Sequence, residues 1–206
     1  MALQLEEEEN FCYAIELVSS SVPSMSMQSA IELGVFDIIA KAGPGAKLSS
    51  SEIAAHIGKD GPASQRLYSL VPVSNYVVTN EDGVSLVPLM ALMQDKVLLD
   101  SWSQLKDAVV ERGIPFNRVH GTHAFEYAGL DPRFNQVFNT AMFNHATIVM
   151  KKILQLYKGF EKLTQLVDVG GGLGVTLSLI TSKHRHIKGI NYDLPHVIKH
   201  APPYPR

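Results

Sequence analysis

Apolar positions recur at helical spacing over most of the first 160 residues of the chain. This spacing predicts three helices, over residues 6–20, 25–40 and 88–112. Pro23 interrupts the chain between the first two of them. Ser49 and Glu52 have the spacing of a capping box, so a further short helix should begin after Ser49 and stop near Gly58. The first part of the chain is therefore predicted to be mainly α-helical.

Two stretches between these helices carry turn signals. Asp82-Gly83 suits the turn of a β-hairpin, and β-prone residues at 76–78 precede it, so one small hairpin is predicted here. Residues 113–130 are rich in Gly, Pro and Asn, which is typical of a loop, with room for a short helix over residues 123–127.

The final 75 residues change from one long helix to strand periodicity. Asp131 and Pro132 suit the N-cap and first position of a helix that should run to about Tyr157. After it the pattern predicts a strand, a helix and a strand, over residues 163–170, 175–182 and 186–193. The predicted fold is a mainly α N-terminal module followed by the first β-α-β unit of an α/β, Rossmann-like domain.

Composition narrows the class of protein. The chain has 206 residues, 46% of them hydrophobic, which is enough to bury a core. A formal charge of −2 with mixed signs along the chain gives no electrostatic basis for binding nucleic acid. The single cysteine, Cys12, excludes an intrachain disulfide and a multi-thiol metal site. The N-terminus is acidic and no run reaches 18 apolar residues, so we expect a cytoplasmic protein with no membrane partner.

A glycine-rich turn connects the first predicted strand to the following helix in "LVDVGGGLGVTLSLI". Its alternating glycines are Gly170, Gly172 and Gly174. Such a turn lets the backbone approach a ligand closely. The dinucleotide pattern G-x-G-x-x-G fails at Val175, which argues against a nicotinamide cofactor. Asp168 precedes the turn, and Asp193 ends the second strand, where a carboxylate can accept both hydroxyls of a ribose. The pattern favours half of an S-adenosylmethionine site over a tight turn without a ligand.

One stripe of the long helix carries two rings, a thioether and an imidazole: Phe134, Phe138, Met142 and His145. The pattern alone favours packing against a neighbouring helix, with His145 a hydrogen-bonded core residue. The functional interpretation is a pocket for a flat aromatic substrate, oriented by one polar group.

The sequence resembles the plant caffeic acid O-methyltransferase family of S-adenosylmethionine-dependent phenolic O-methyltransferases. The resemblance is carried by "GIPFNRVHGTHAFEYAGLDPRFNQVFN", "MKKIL", "LVDVGGGLGV" and "IKGINYDLPHVIKHAPPYP". Looser agreement in "AIELGVFDIIAKAGPGA", "NEDGVS" and "QDKVLL" extends it over nearly the whole chain.

The resemblance implies a role for each of several residues and regions. Gly170 and Asp193 would contact the methyl donor. The phenolic pocket would be lined by Leu98, Ala124, Phe134, Phe138, Met142 and His145. The implied domains are an incomplete winged-helix-like dimerisation region, a pocket loop with a linking helix, and the start of an S-adenosylmethionine-binding domain, over residues 1–112, 113–160 and 161–206. The first of these would pair two copies or two homologues.

Several positions depart from the family pattern. Ala128 stands where caffeic-type members often have His, and Ala146 stands where they have a donor-contacting Ser. "ALMQDKV" lacks the family's Asn. A helix and a strand are absent between "HIGKDGPAS" and "QRLYSLVPV", which also removes the second helix that a DNA-binding helix-turn-helix needs.

The family's catalytic histidine and its acidic partners have no counterpart in this chain, so we assign no catalytic residue and no metal ligand. The other histidines are no substitutes, His56 included. His120 and His123 are expected in a loop, and surface positions are expected for His184, His186, His196 and His200.

The leading hypothesis is an O-methyltransferase of phenols whose chain, taken alone, binds the methyl donor weakly or not at all. A second class is a non-catalytic dimerisation partner of full-length homologues. A nicotinamide-dependent oxidoreductase is a third class, and the glycine spacing argues against it.

Overall fold

The computed structural model describes residues 13–61 and 65–204. Cys12 and the start of the helix predicted over residues 6–20 lie outside these ranges, while residues 13–19 are helical. The chain forms two compact units, Met1–Val78 and Thr79–Arg206. The domain limits at residues 112 and 160 stay predictions that rest on the resemblance.

The first unit is built from short helices and a two-residue strand pair. Its helices are Ser21–Glu32 (α1), Val35–Lys41 (α2) and Ser50–His56 (α3), with a 3-10 helix at Pro72–Tyr76. Strands Leu48–Ser49 (β1) and Leu67–Tyr68 (β2) pair antiparallel. The single helix predicted over residues 25–40 is wrong, because Gly34 adopts a left-handed φ of 71° and starts a new helix. Pro23 lies inside the first turn of α1, where its missing N–H is not needed.

The capping box at the start of α3 is confirmed. The Glu52 backbone N–H donates to the Ser49 hydroxyl at 3.3 Å, and the Ser49 N–H donates to the Glu52 carboxylate at 2.7 Å. Ile53, on the inner face of this helix, is buried. Gly58 follows the helix with a φ of 68°, as its predicted stop.

The predicted hairpin around Asp82-Gly83 is wrong, although the turn itself forms. The Asn80 side-chain oxygen accepts hydrogen bonds from the N–H groups of Asp82 and Val84, at 3.0 and 3.1 Å. The Asn80 N–H also donates to the Val84 carbonyl at 3.0 Å, so the turn is closed by local contacts of Asn80, and no described strands pair beyond it. Residues 76–78 form no strand.

The second unit contains eight helices and two strands among its described residues. The helices are Val87–Met93 (α4), Lys96–Trp102 (α5), Leu105–Glu111 (α6), Pro115–His120 (α7), Ala124–Leu130 (α8), Pro132–Leu156 (α9), Val175–Lys183 (α10) and Pro195–Ile198 (α11). The strands are Gln165–Val169 (β3) and Lys188–Tyr192 (β4).

Two predictions for this unit are corrected. Residues 88–112 form three helices instead of one. The Asp95 side chain accepts the Val97 N–H at 3.0 Å and starts the second of them, α5. The short helix predicted over residues 123–127 is confirmed as α8, whereas the loop predicted before it is wrong, because residues 115–120 form α7. Phe116 and Ala128 are buried in the core, and this burial outweighs the Gly, Pro and Asn content that predicted a loop.

The long helix α9 is confirmed, with the Asp131 carboxylate accepting the Phe134 N–H at 3.0 Å. Phe134 is 2% exposed and packs in a cluster with Leu92 and Ala141. Arg133 reaches back to the Asp95 carboxylate through two hydrogen bonds, at 2.6 and 3.1 Å. The start of α9 is thereby fixed to the start of α5.

The predicted β-α-β order is confirmed. Strands β3 and β4 are parallel, with Gln165 opposite Lys188 and Val169 opposite Tyr192. Helix α10 covers one face of this pair, where Ile180 packs with Leu154 of α9. The opposite face is apolar and exposed, with Val169 at 74% and Tyr192 at 66%.

Candidate functional site

The glycine turn lies between β3 and α10 and depends on a backbone that other residues rarely adopt. Gly170, Gly172 and Gly174 have φ values of 75°, 58° and 81°. Gly171 has no room for a side chain, since a Cβ there would lie 2.1 Å from the Asn191 side-chain oxygen. The turn therefore presents bare backbone at the carboxyl end of the sheet.

Asp193 holds this turn from the end of the neighbouring strand. One of its carboxylate oxygens accepts the Gly172 N–H at 2.7 Å, and the other accepts the Leu194 N–H at 2.6 Å. The Gly170 N–H donates to the Tyr192 carbonyl at 2.8 Å. A carboxylate has about four acceptor positions, so each Asp193 oxygen can accept a further hydrogen bond from a ligand.

Asp168 is a second carboxyl group at this edge of the sheet. It is half-buried, and burial raises the pKa of its carboxyl above the ordinary value. The neighbouring Asp193 carboxylate raises that pKa further. A positively charged ligand, or one that donates hydrogen bonds, would relieve this repulsion.

The aromatic stripe predicted on α9 faces two environments. Phe134 belongs to the buried core, and its ring centroid is 6.3 Å from that of Phe138. Phe125 of α8 meets Phe138 edge-on at 6.4 Å. The packing interpretation therefore holds for Phe134, with Phe138 and Met142 packed against its cluster. It does not hold for His145, which is half-buried and outside that core, and the pocket interpretation stays a prediction.

A single cavity of about 860 Å³ in the second unit joins the glycine turn to the aromatic stripe. All the site residues predicted from the sequence line it except Gly174. Those residues are Leu98, Ala124, Phe134, Phe138, Met142, His145, Asp168, Gly170, Gly172 and Asp193. Gly174 is buried behind the turn, where a Cβ would lie 3.2 Å from both the Asn191 amide nitrogen and the Tyr204 ring.

Several residues that sequence reasoning missed also line the cavity: Phe125, Glu126, Asn135, Asn139, Phe143, Thr176 and His196. Asn135 and Asn139 directly follow Phe134 and Phe138, and the Asn139 amide donates to the Asn135 side chain at 2.8 Å. A wider helical stripe would have included this pair.

The surface positions predicted for His184 and His196 are wrong, and His120 ends helix α7 instead of lying in a loop. His120 is half-buried; its Nε2 lies 2.9 Å from the Val97 carbonyl, and its ring packs on Phe116. His184 is half-buried. The His196 ring lies on the cavity wall against Gly129, where a Cβ would be 3.4 Å from Nδ1. These positions depend on contacts between distant segments, which no local pattern shows.

Two positions that depart from the family pattern, Ala128 and Ala146, lie on the cavity wall. Their methyl groups leave open the volume that a larger side chain would fill.

Among residues 13–61 and 65–204 no group of three acidic, histidine or cysteine side chains is arranged to hold a metal ion. No helix in the same ranges is both long enough and apolar enough to cross a membrane.

A parallel β-α-β unit with a glycine turn, strand-end acids and an adjoining aromatic cavity is typical of α/β proteins that hold a nucleoside cofactor beside a small aromatic ligand. Residues 102–206 match the O-methyltransferase domain, and residues 15–71 match the O-methyltransferase dimerisation domain. The chain belongs to the O-methyltransferase family, a family of transferases.

Curated relatives agree with this assignment. The chain is 50% identical to catechol O-methyltransferase 1 of Solanum lycopersicum over 236 residues, covering 100% of this chain and 63% of the relative. It is also 50% identical to caffeic acid 3-O-methyltransferase 1 of Populus kitakamiensis, covering 98% of this chain and 63% of that relative. The chain thus spans less than two thirds of the length of these relatives.

Solved structures share the fold at low identity. Human N-acetylserotonin methyltransferase in complex with S-adenosylmethionine superposes with a TM-score of 0.73 at 19% identity, covering 93% of this chain and 61% of that one. A methyltransferase of calicheamicin biosynthesis, in its S-adenosylhomocysteine-bound form, gives a TM-score of 0.71 at 17% identity, with 94% and 61% covered.

Proposed function

We propose that this chain carries the methyl-donor and phenol-binding parts of an S-adenosylmethionine-dependent O-methyltransferase that acts on ring hydroxyls of caffeic acid-like phenols. The observation that carries the proposal is the single cavity that joins the glycine turn and both acids to the aromatic stripe. A volume of about 860 Å³ lies within the usual range of ligand pockets.

The donor end of the cavity suits a cationic nucleoside. The Asp193 oxygens can accept hydrogen bonds from ribose hydroxyls and still accept those from the Gly172 and Leu194 N–H groups. Asp168 adds a second carboxyl group that favours positive charge nearby. Gly170 and Gly172 let the nucleoside approach the backbone. When bound, S-adenosylmethionine supplies a sulfonium methyl group that a phenol oxygen can attack.

The phenol end of the cavity suits a flat ring. Phe138 and Met142 offer an aromatic face and an adaptable thioether, and the Asn139 and His145 side chains are the nearby polar groups that can orient hydroxyls. Holding the phenol next to the donor converts a bimolecular step into an intramolecular one. No residue of this chain is assigned as the base that takes the phenol proton.

We propose that the first unit pairs two chains and corresponds to an incomplete winged-helix-like dimerisation region. The match of residues 15–71 to the dimerisation domain supports pairing. Large apolar side chains are exposed on the helical segments 13–19 and α1: Ile15, Leu17, Val18, Val22 and Met25.

The same exposed residues favour a second candidate function, a non-catalytic partner of a longer family member. Mixing the chain with the Solanum lycopersicum relative should then give a complex by size-exclusion chromatography with light scattering. Elution of the two proteins only as separate species would remove this candidate.

Binding of donor and phenol to the purified chain tests the main proposal. We expect weak binding, because a two-stranded sheet with one exposed apolar face supports the turn only marginally. Saturation-transfer NMR detects weak ligands, and both S-adenosylmethionine and a catechol should give signals. Asp193→Asn should remove most of the donor signal and keep the catechol signal, whereas the matched exposed change Asp60→Asn should keep both.

Two results would contradict these expectations. A wild-type chain that gives no donor signal would remove the donor-binding part of the proposal. Micromolar donor affinity by isothermal titration would show that the turn needs no more support than this sheet provides.

A further inference from the structure

We propose that Asn191 is a positioning residue for the methyl-donor site, holding the glycine turn in the conformation that aligns it with Asp193. The proposal rests on the donor-binding role given above for the turn. Asn191 does not line the cavity, so its action on a ligand passes through the turn.

The sheet register places Asn191 directly beside the turn. Asn191 of β4 pairs with Asp168 of β3, so the two side chains lie next to each other on the same face of the parallel sheet. Asp168 is separated by one residue from the first glycine of the turn. The Asn191 amide is therefore within reach of the backbone that leaves β3.

The Asn191 amide donates a hydrogen bond to the Gly172 carbonyl at 3.0 Å. The N–H of the same glycine donates to the Asp193 carboxylate at 2.7 Å. Gly172 is thus held on both of its backbone polar groups by residues from the end of β4. Because Gly172 has a φ of 58° and no side chain, nothing intrinsic to the residue restricts it to this conformation.

The turn is folded closely around this amide. A Cβ on Gly171 would lie 2.1 Å from the Asn191 side-chain oxygen, and a Cβ on Gly174 would lie 3.2 Å from its nitrogen. Asn191 is therefore one of two groups that leave no room for a side chain at Gly171, the other being Asp168, whose carboxyl carbon would lie 2.8 Å from that Cβ. The turn and the asparagine are closely packed, so a change at position 191 should disturb the turn.

Position 191 needs a side chain that donates a hydrogen bond and carries no charge, as an amide does. The Asn191 oxygen is buried without a hydrogen-bond partner among the described residues, so the hydrogen bond that fixes this side chain is the one its nitrogen donates to Gly172. An aspartate of the same shape would lack the donor to Gly172. It would also add a third carboxylate beside Asp168 and Asp193.

The test compares Asn191→Ala and Asn191→Asp with the wild-type chain. Asn117→Asp is the matched control, since its side-chain oxygen is also buried without a described partner but lies away from the cavity. Amide hydrogen exchange by NMR reports on Gly172, with Ile180 of α10 as an internal reference. Saturation transfer to S-adenosylmethionine and to a catechol reports on the two ends of the cavity.

In both Asn191 variants, exchange at Gly172 should speed up about two- to tenfold, the effect of one lost hydrogen bond, while Ile180 is unchanged. The donor signal should fall and the catechol signal should persist. Unchanged exchange at Gly172, or equal acceleration at Gly172 and Ile180, would overturn the proposal. If Asn191→Ala does not fold, Asn191→Ser, which leaves a smaller cavity, takes its place with the same expectations.

Failure of the proposed function gives a different result. If the wild-type chain shows no donor signal, donor binding by this chain is refuted, while the exchange rates still decide whether Asn191 holds the turn.

Discussion

At the scale of single residues, the two carboxyl groups at the end of the sheet oppose each other. Asp168 and Asp193 end adjacent parallel strands, and no described Lys or Arg is among the residues that line the cavity beside them. Their repulsion lowers the free energy of unfolding of the ligand-free chain. Binding sites commonly give up stability in this way to gain complementarity to a ligand.

Asp168→Asn should therefore stabilise the ligand-free chain near neutral pH. Since burial and Asp193 raise the pKa of Asp168, the folded chain keeps this proton to a higher pH than the unfolded chain does. As the pH falls through the raised pKa towards the ordinary aspartate value, Asp168 takes up a proton and the wild type gains stability. Asparagine does not titrate, so the variant gains nothing from this change of pH. The melting temperature of the variant should exceed that of wild type by no more than about 3 °C at pH 7, because solvent screens part of the repulsion.

The measurement is thermal unfolding followed by circular dichroism between pH 7 and pH 4. The difference between the two melting temperatures should shrink as the pH falls. Asp60→Asn, an exposed carboxylate in the other unit, serves as the control and should leave the melting temperature unchanged at each pH. A variant less stable than wild type at pH 7 would show that Asp168 makes a favourable contact that outweighs the repulsion.

At the scale of helices and strands, one buried amide connects the long helix α9 to the turn before α4. The Asn144 oxygen accepts the Ser85 N–H at 3.0 Å, and its nitrogen donates to the Thr140 carbonyl at 2.9 Å. Both Asn144 and Ser85 are buried. This contact orders the chain just before it enters the helices that carry Leu98.

Asn144→Ala should lower the free energy of unfolding by about 1–3 kcal/mol, because it leaves the buried Ser85 N–H without an acceptor. Urea unfolding measures the change. Gln136→Ala, an exposed substitution on the same helix, should change the free energy by less than about 0.5 kcal/mol. A loss for Asn144→Ala as small as that of the control would mean that solvent reaches Ser85.

Elements with strong local signals could be predicted from the sequence. Asp131 with Pro132, and Ser49 with Glu52, fix the starts of their helices through contacts within one turn, and both starts are confirmed. The loop predicted in place of α7 is wrong because the burial of Phe116, which stabilises that helix, involves residues distant in sequence. His196 was placed at the surface for the same reason. Most of the candidate site was predictable, since its residues occupy one helical stripe and two strand ends.

At the scale of the whole molecule, the exposed apolar residues of the first unit predict self-association. Val18 is 84% exposed on a helical segment that matches the dimerisation domain. Val18→Asp should weaken dimers, since a charge buried in an apolar interface is costly. Leu156→Asp is a matched control, because Leu156 is 85% exposed on the second unit.

Analytical ultracentrifugation over a range of concentrations measures both variants. The wild-type chain and Leu156→Asp should dimerise with the same dissociation constant, and Val18→Asp should dimerise at least about tenfold more weakly. Equal weakening by both substitutions would place the contact outside the first unit. A monomeric wild type at all concentrations would remove self-association altogether.

The long helix α9 fixes the distance and the angle between two parts of the second unit. The aromatic stripe lies near one end of the 25 residues of α9, and Leu154, which packs on α10, lies near the other. Each residue added to a helix advances it by about 1.5 Å and turns it by about 100°. A single insertion between Ala146 and Leu154 would therefore rotate Phe138 and Met142 away from the glycine turn while both ends stayed folded. The sequence length in this stretch is therefore constrained both by rotation and by distance along the axis, since even a whole-turn insertion would shift Phe138 and Met142 by about 5.4 Å.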